Sequence, residues 1–113
     1  AGIQKYKSIL IARRLLEEFG IPELEKKYIS QMSGGEQQRI AIARAVANSP
    51  ELLFADEPTG NLDNKNALLV MEILKKLNVQ GMTVVMVTHD TSLAEYGTRI
   101  IRVKDGSILS TCD

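Results

Sequence analysis

At 113 residues, with 44% apolar and 25% charged side chains, the chain has the composition of an ordinary soluble globular protein. Its length suits one small domain or part of a larger one. The 14 Lys and Arg balance the 14 Asp and Glu, and no basic tail or arginine stripe marks nucleic acid as the main partner. No apolar run is long enough for a bilayer and no signal peptide opens the chain, so any membrane role is expected to be peripheral. The single cysteine, Cys112, cannot form an internal disulfide, which fits a reducing compartment.

Residues 8–19 carry Ile9, Ala12, Leu16 and Phe19 at spacings of three and four, the apolar stripe of a helix. Gly20 stops it, and Pro22 opens a short second helix toward Tyr28. The stretch Gln31-Met32-Ser33-Gly34-Gly35-Glu36-Gln37-Gln38-Arg39 starts a third helix that runs to about Ala47 and ends at Asn48-Ser49-Pro50. Leu52-Leu53-Phe54-Ala55 is a continuous apolar run that stops at Asp56-Glu57-Pro58, the pattern of a strand buried on both faces. A polar loop leads to Asp63, a good N-cap for a long amphipathic helix over Ala67, Val70, Met71, Leu74 and Leu77 that ends at Gly81. Thr83–Val87 reads as a second buried strand, which stops at Thr88-His89-Asp90. Strand, helix, strand in this order is a βαβ crossover with parallel strands. A short helix is expected after Asp90. Ile100–Val103 and Ile108–Thr111 then flank Asp105-Gly106, a two-residue hairpin signal.

Open α/β sheets bind ligands at the carboxyl ends of their strands. Asp56, Glu57 and His89 should converge there. Phosphoryl transfer needs a metal to neutralise phosphate charge and a group to position the attacking water. That pattern gives Asp56 a Mg²⁺ role and Glu57 the role of base. Acidic residues that merely end a strand in solvent account for the pair equally well. His89, the only histidine, can donate a hydrogen bond to a terminal phosphate. Ser33-Gly34-Gly35-Glu36 has the form of a capping box, and its glycines let backbone N–H groups approach an anion at the positive helix end. A capped helix start alone explains the same residues. A Walker A loop needs Gly-Lys followed by Ser or Thr, and no glycine here precedes a lysine.

Together these stretches resemble the ATP-binding cassette (ABC) ATPases, a P-loop NTPase fold. Met32-Ser33-Gly34-Gly35-Glu36 is similar to the family's signature motif, usually Leu-Ser-Gly-Gly-Gln. Leu52–Asp56 resembles Walker B, with Glu57 in the place of the catalytic glutamate. Asn61-Leu62-Asp63 resembles the D-loop, and His89 the switch histidine. The run from Glu57 to Asp63 and the Ser-Gly-Gly-Glu-Gln-Gln-Arg stretch are most similar to the lipoprotein-release, macrolide-export and cell-division subgroup. Met32 for leucine conserves volume, and Glu36 for glutamine is similar to that subgroup's form.

The resemblance implies the C-terminal half of the family's domain: part of the helical subdomain over 1–48 and part of the α/β ATPase core over 49–113. Walker A, the adenine-stacking aromatic residue and the glutamine loop are not among these residues, so the 113 residues alone are expected to be inactive. It further implies MgATP as ligand and head-to-tail pairing with a second ATPase subunit. Ser33, Gly34, Gly35 and Glu36 would face ATP bound on the partner, and Asp63 would lie at the interface. Integral membrane transporter subunits, reached from the cytoplasmic side, complete the expected assembly. The alternative is a non-transport ABC-type ATPase serving chromosomes or ribosomes. The balanced charge and the lack of coiled-coil heptads argue against it.

Overall fold

The computed structural model describes residues 2–112. Helix α1 spans Gly2–Glu18, and Gly20 follows it in the left-handed region with φ 71°. Its apolar stripe is only half used. Leu16 and Phe19 are buried, while Ile9 and Ala12 are exposed. The expected short second helix is a 3-10 helix over Pro22–Lys26, which buries Leu24. Helix α2 spans Gly34–Val46 and opens with the predicted capping box: Ser33 Oγ accepts from Glu36 N–H at 3.2 Å, and Glu36 Oε1 accepts from Ser33 N–H at 3.0 Å. Ser49, at φ 51°, turns the chain out of that helix.

Strand β1 (Leu52–Asp56), helix α3 (Asn64–Val79) and strand β2 (Thr83–Val87) form the predicted βαβ unit. The strands pair in parallel, with Leu53 opposite Val84 and Asp56 opposite Val87. A 3-10 segment follows over Thr91–Tyr96. Strands β3 (Ile100–Lys104) and β4 (Ser107–Cys112) make a separate antiparallel hairpin. Asp105 and Gly106 have φ of 50° and 77°, the two positive values that a type I′ turn demands.

One apolar cluster joins these parts. Leu16, Phe19, Ile21 and Leu24 meet Ile42 and Val46 of α2, Leu53 of β1, and Val70, Met71, Leu74 and Leu77 of α3. Val70 has no exposed surface. Only one face of the parallel pair joins this core. Leu53 is buried, and Ala55, Val84 and Met86 pack partly against the cluster. Leu52, Phe54, Val85 and Val87 are exposed, with Phe54 at 63%. The expectation of strands buried on both faces is therefore corrected. Among the described residues α3 supplies a layer on one side, and no second layer covers the other.

Candidate functional site

Glu57 sits one residue beyond β1, in the left-handed region with φ 48°. A non-glycine residue held there costs roughly 1–3 kcal/mol and persists only where its surroundings impose it. Its N–H donates to the Val87 carbonyl at 2.7 Å, its carbonyl accepts from Gly60 N–H at 3.0 Å, and Pro58 behind it is fully buried. This turn carries the carboxylate to the end of β2. There Glu57 Oε1 accepts from the His89 N–H at 2.9 Å and also meets the His89 ring at Nδ1. Glu57 Oε2 accepts from Thr88 Oγ1 at 3.3 Å. The predicted convergence of Glu57 and His89 is thus direct contact across 32 residues of sequence.

The hydrogen bond from the His89 ring, then that from the His89 backbone, holds the Glu57 carboxyl below its ordinary range. Glu57 is therefore an ionised acceptor at neutral pH. A histidine that gives Nδ1–H to a carboxylate keeps Nε2 for a second partner, as an acceptor when neutral and a donor when protonated. Thr59, Gly60 and Asp90 complete a shallow open pocket around Glu57 and His89. Asp90 is itself fixed, accepting from Ser92 N–H at 2.9 Å and Ser92 Oγ at 2.6 Å, while its own N–H donates to Thr88 Oγ1 at 3.0 Å.

Asp56 ends β1 on the same open face as Leu52 and Phe54, and its side chain is exposed. It adjoins Glu57 but does not line that pocket. Among the described residues, no three His, Cys, Asp or Glu gather into an all-protein metal cage. Mg²⁺ does not need one: it typically takes one or two carboxylates and completes its shell with water and substrate phosphates. The exposed oxygen donors of Asp56 fit that chemistry.

The Ser33–Glu36 stretch forms a second group that does not line the Glu57 pocket. It packs on the start of α3 instead. A Cβ on Gly35 would lie 2.6 Å from Asn66 Cγ and 2.8 Å from its Cβ, and one on Gly34 would lie 3.3 Å from Leu62 Cδ2. Gly35 is buried, so close packing requires this glycine even before any anion is considered. Glu36 is held below its ordinary carboxyl range, first by the Ser33 backbone hydrogen bond and also by Lys27, whose Nζ lies 3.6 Å away. Asp63 caps α3: its Oδ1 accepts from Asn66 N–H and from Asn66 Nδ2, each at 2.8 Å. Those bonds, the backbone one first, lower its carboxyl too.

Sequence reasoning missed Thr88, Asn66 and Lys27 as parts of these groups. Thr88 borders His89, and that adjacency was the available signal. Lys27 and Asn66 stand 9 and 31 residues from the groups they touch, Glu36 and Gly35, and nothing in the sequence joins them.

Residues 4–60 match the family model described as ABC transporter. An uncharacterised ABC transporter ATP-binding protein of Methanocaldococcus jannaschii is 53% identical over 98 residues, covering 87% of this chain and 44% of that protein. The macrolide export ATP-binding/permease protein MacB of Chlorobaculum tepidum is 52% identical over 98 residues, covering 87% of this chain and 15% of MacB. The dimeric post-hydrolysis state of an ATP-binding cassette bound to ADP and Pi superposes with a TM-score of 0.73 at 43% identity, covering 98% of this chain and 47% of that one. A second cassette in its ADP conformation gives a TM-score of 0.86 at 21% identity, over 93% of this chain and 42% of that one, a likeness of fold alone. The chain thus spans less than half the length of these relatives. No helix among the described residues is long and apolar enough to cross a membrane. The chain belongs to the ABC transporter ATPase family, with relatives in its macrolide-export group.

Proposed function

We propose that this chain is part of the ATP-binding subunit of an ABC transporter, which couples MgATP binding, head-to-tail dimerisation and hydrolysis to transport. The observation that carries this reading is the Glu57 carboxylate, held ionised at the end of β1 by Thr88 and His89 from the end of β2. Residues 1–48 serve as part of the helical subdomain and residues 49–113 as part of the ATPase core. Their terminal residues 1 and 113 lie outside the described residues.

In this proposal Glu57 orients and polarises the attacking water, and His89 holds the γ-phosphate through its ring. Asp56 holds Mg²⁺, which neutralises phosphate charge when bound. Ser33, Gly34, Gly35 and Glu36 close over ATP bound on the partner subunit. Their separation from the Glu57 pocket supports that assignment. Asp63 lies at the subunit interface and links the two sites. Loss of the γ-phosphate weakens the pairing, and the opening motion drives integral membrane subunits from the cytoplasmic side. The permease in MacB's name and the dimeric cassette structure support these partners. With no Gly-Lys pair to cradle phosphate, the 113 residues by themselves bind ATP negligibly and hydrolyse none.

The test is Glu57→Gln in the complete subunit. The expected result is a fall in hydrolysis of about 100- to 10,000-fold, with MgATP-stabilised dimers retained. Hydrolysis at the wild-type rate removes Glu57 from the role of base.

A further inference from the structure

The start of α2 and the loop before α3 touch through one side chain. Asn66 stands in the first turn of α3 and is half-buried. Its backbone N–H and its Nδ2 both donate to Asp63 Oδ1, each at 2.8 Å. The same amide fills the space where Gly35 lacks a side chain, within 2.6 Å of where a Cβ would stand. Next to it, Leu62 lies 3.3 Å from the corresponding point on Gly34. So the amide of Asn66 is fixed on one side by the cap it helps to form. On the other side it is wedged against the buried glycine of the capping-box helix. A short polar side chain doing both leaves neither element free to shift alone. Close-packed contacts transmit displacement because no void absorbs it.

We propose that Asn66 is a positioning residue that locks the loop ending at Asp63 to the glycine start of α2, so that the two interface elements move as one body. The coupling stands on the packing above. Its consequence for ATP rests on the proposed function, in which Asp63 and Ser33–Glu36 meet the partner subunit. Asn66 itself touches no nucleotide in that scheme. It acts through the placement of Gly35 and Asp63.

Two readouts on the complete ATPase subunit test it. The first is hydrogen exchange without nucleotide. Asn66→Ala raises exchange at the α2 amides of Glu36 and Gln37, which donate to Ser33, by about tenfold, although the substitution lies in α3. A role confined to capping α3 leaves those amides unchanged, and that result overturns the proposal. Gly35→Ala, which drives a methyl into Asn66, raises the same exchange. Adding Asn66→Gly removes both the amide and the Cβ that stands 2.8 Å from that methyl, makes room, and reverses at least about half of the effect on a logarithmic scale. A double variant no better protected than Gly35→Ala alone also overturns the proposal.

The second readout is MgATP-dependent dimerisation in a Glu57→Gln background, followed by sedimentation. Asn66→Ala weakens the dimer about fivefold or more, while ATP affinity of the monomer stays at its unmutated value. Unchanged dimerisation overturns the consequence for the interface. If the Glu57→Gln subunit forms no MgATP-dependent dimer while the exchange results appear, the proposed function falls and the coupling stands.

Discussion

Lys27 Nζ lies 3.6 Å from Glu36 Oε1 and so pairs with the one acid in the α2 capping box. The pair joins the segment before α2 to the turn proposed to face a partner's phosphate. An acid there is favourable for the helix dipole but repels a bound anion. Lys27 offsets that charge. In the complete subunit, Lys27→Ala is expected to weaken MgATP-dependent dimerisation by about two- to fivefold, as befits an exposed pair. The loss should shrink at high salt and largely disappear in a Glu36→Gln background. Sedimentation at two ionic strengths reads both effects. An equal loss in the Glu36→Gln background would refute the charge account.

The capping box also sets an acid limit. Glu36 has its carboxyl lowered in the folded state by the Ser33 backbone bond, so its contribution is present above the ordinary carboxylate range. It is lost as pH falls through the depressed folded value. Ser33→Ala is expected to cost about 1 kcal/mol at neutral pH. The pH-dependent part belongs to the Glu36 carboxyl on the Ser33 backbone N–H, which alanine keeps, so Glu36→Gln is the variant whose cost at neutral pH should vanish in acid, where Glu36 is protonated in both states. Urea melts at neutral and acidic pH measure the difference.

Thr88 bears on the proposed base. Its hydroxyl donates to Glu57 Oε2, and together with His89 it keeps that carboxyl low. A lowered base stays ionised to lower pH, so the acid limb of the rate profile should fall below the ordinary carboxylate range. Thr88→Val should move that limb upward, and His89→Ala, which removes the largest cause of the shift, should move it further. Profiles that coincide with the unmutated one would detach these residues from Glu57 ionisation.

Leu74 is 3% exposed and sits with Val70 and Leu77 on the face of α3 that meets the core. Leu74→Ala should destabilise the protein by about 2–5 kcal/mol, the usual cost of such a cavity. Denaturant unfolding of the complete subunit checks it. A loss below about 1 kcal/mol would mean that the core collapses to fill the space.

The uncovered face of β1 and β2 makes a prediction for the 113-residue chain alone. Leu52, Phe54, Val85 and Val87 lie side by side and exposed. Already about half-buried, each stands to gain roughly 1 kcal/mol from complete burial, so the chain should self-associate as its concentration rises. Phe54→Lys should reduce association. Light scattering that shows monomers at all concentrations would argue that this face is not sticky enough to matter.

The local structure was legible in the sequence because its causes are local. Ser33 and Glu36 are three residues apart, so their capping box follows from covalent spacing alone. The same holds for the Asp63 cap, the Asp105-Gly106 turn and the period of α3. The parallel pairing of β1 and β2 followed from the helix between them, since parallel strands require such a crossover. The apolar runs were read as burial on two faces. An apolar run records that both faces are suited to burial, but burial itself needs a covering layer, and these residues supply one.

What only the tertiary structure decided is which distant groups share a location. Glu57 and His89 were expected at one edge. Their direct bonding, with Thr88 as a third donor, depends on the unusual backbone of Glu57 and on the register that sets Asp56 against Val87. The glycines of Ser33-Gly34-Gly35-Glu36 were read as room for a phosphate. In the fold, Gly35 also makes room for Asn66 of a helix far along the chain. Sequence spacing determines hydrogen bonds between near neighbours. Side chains 31 or 32 residues apart meet only after the chain has packed, because excluded volume in the folded core selects the pairs that touch.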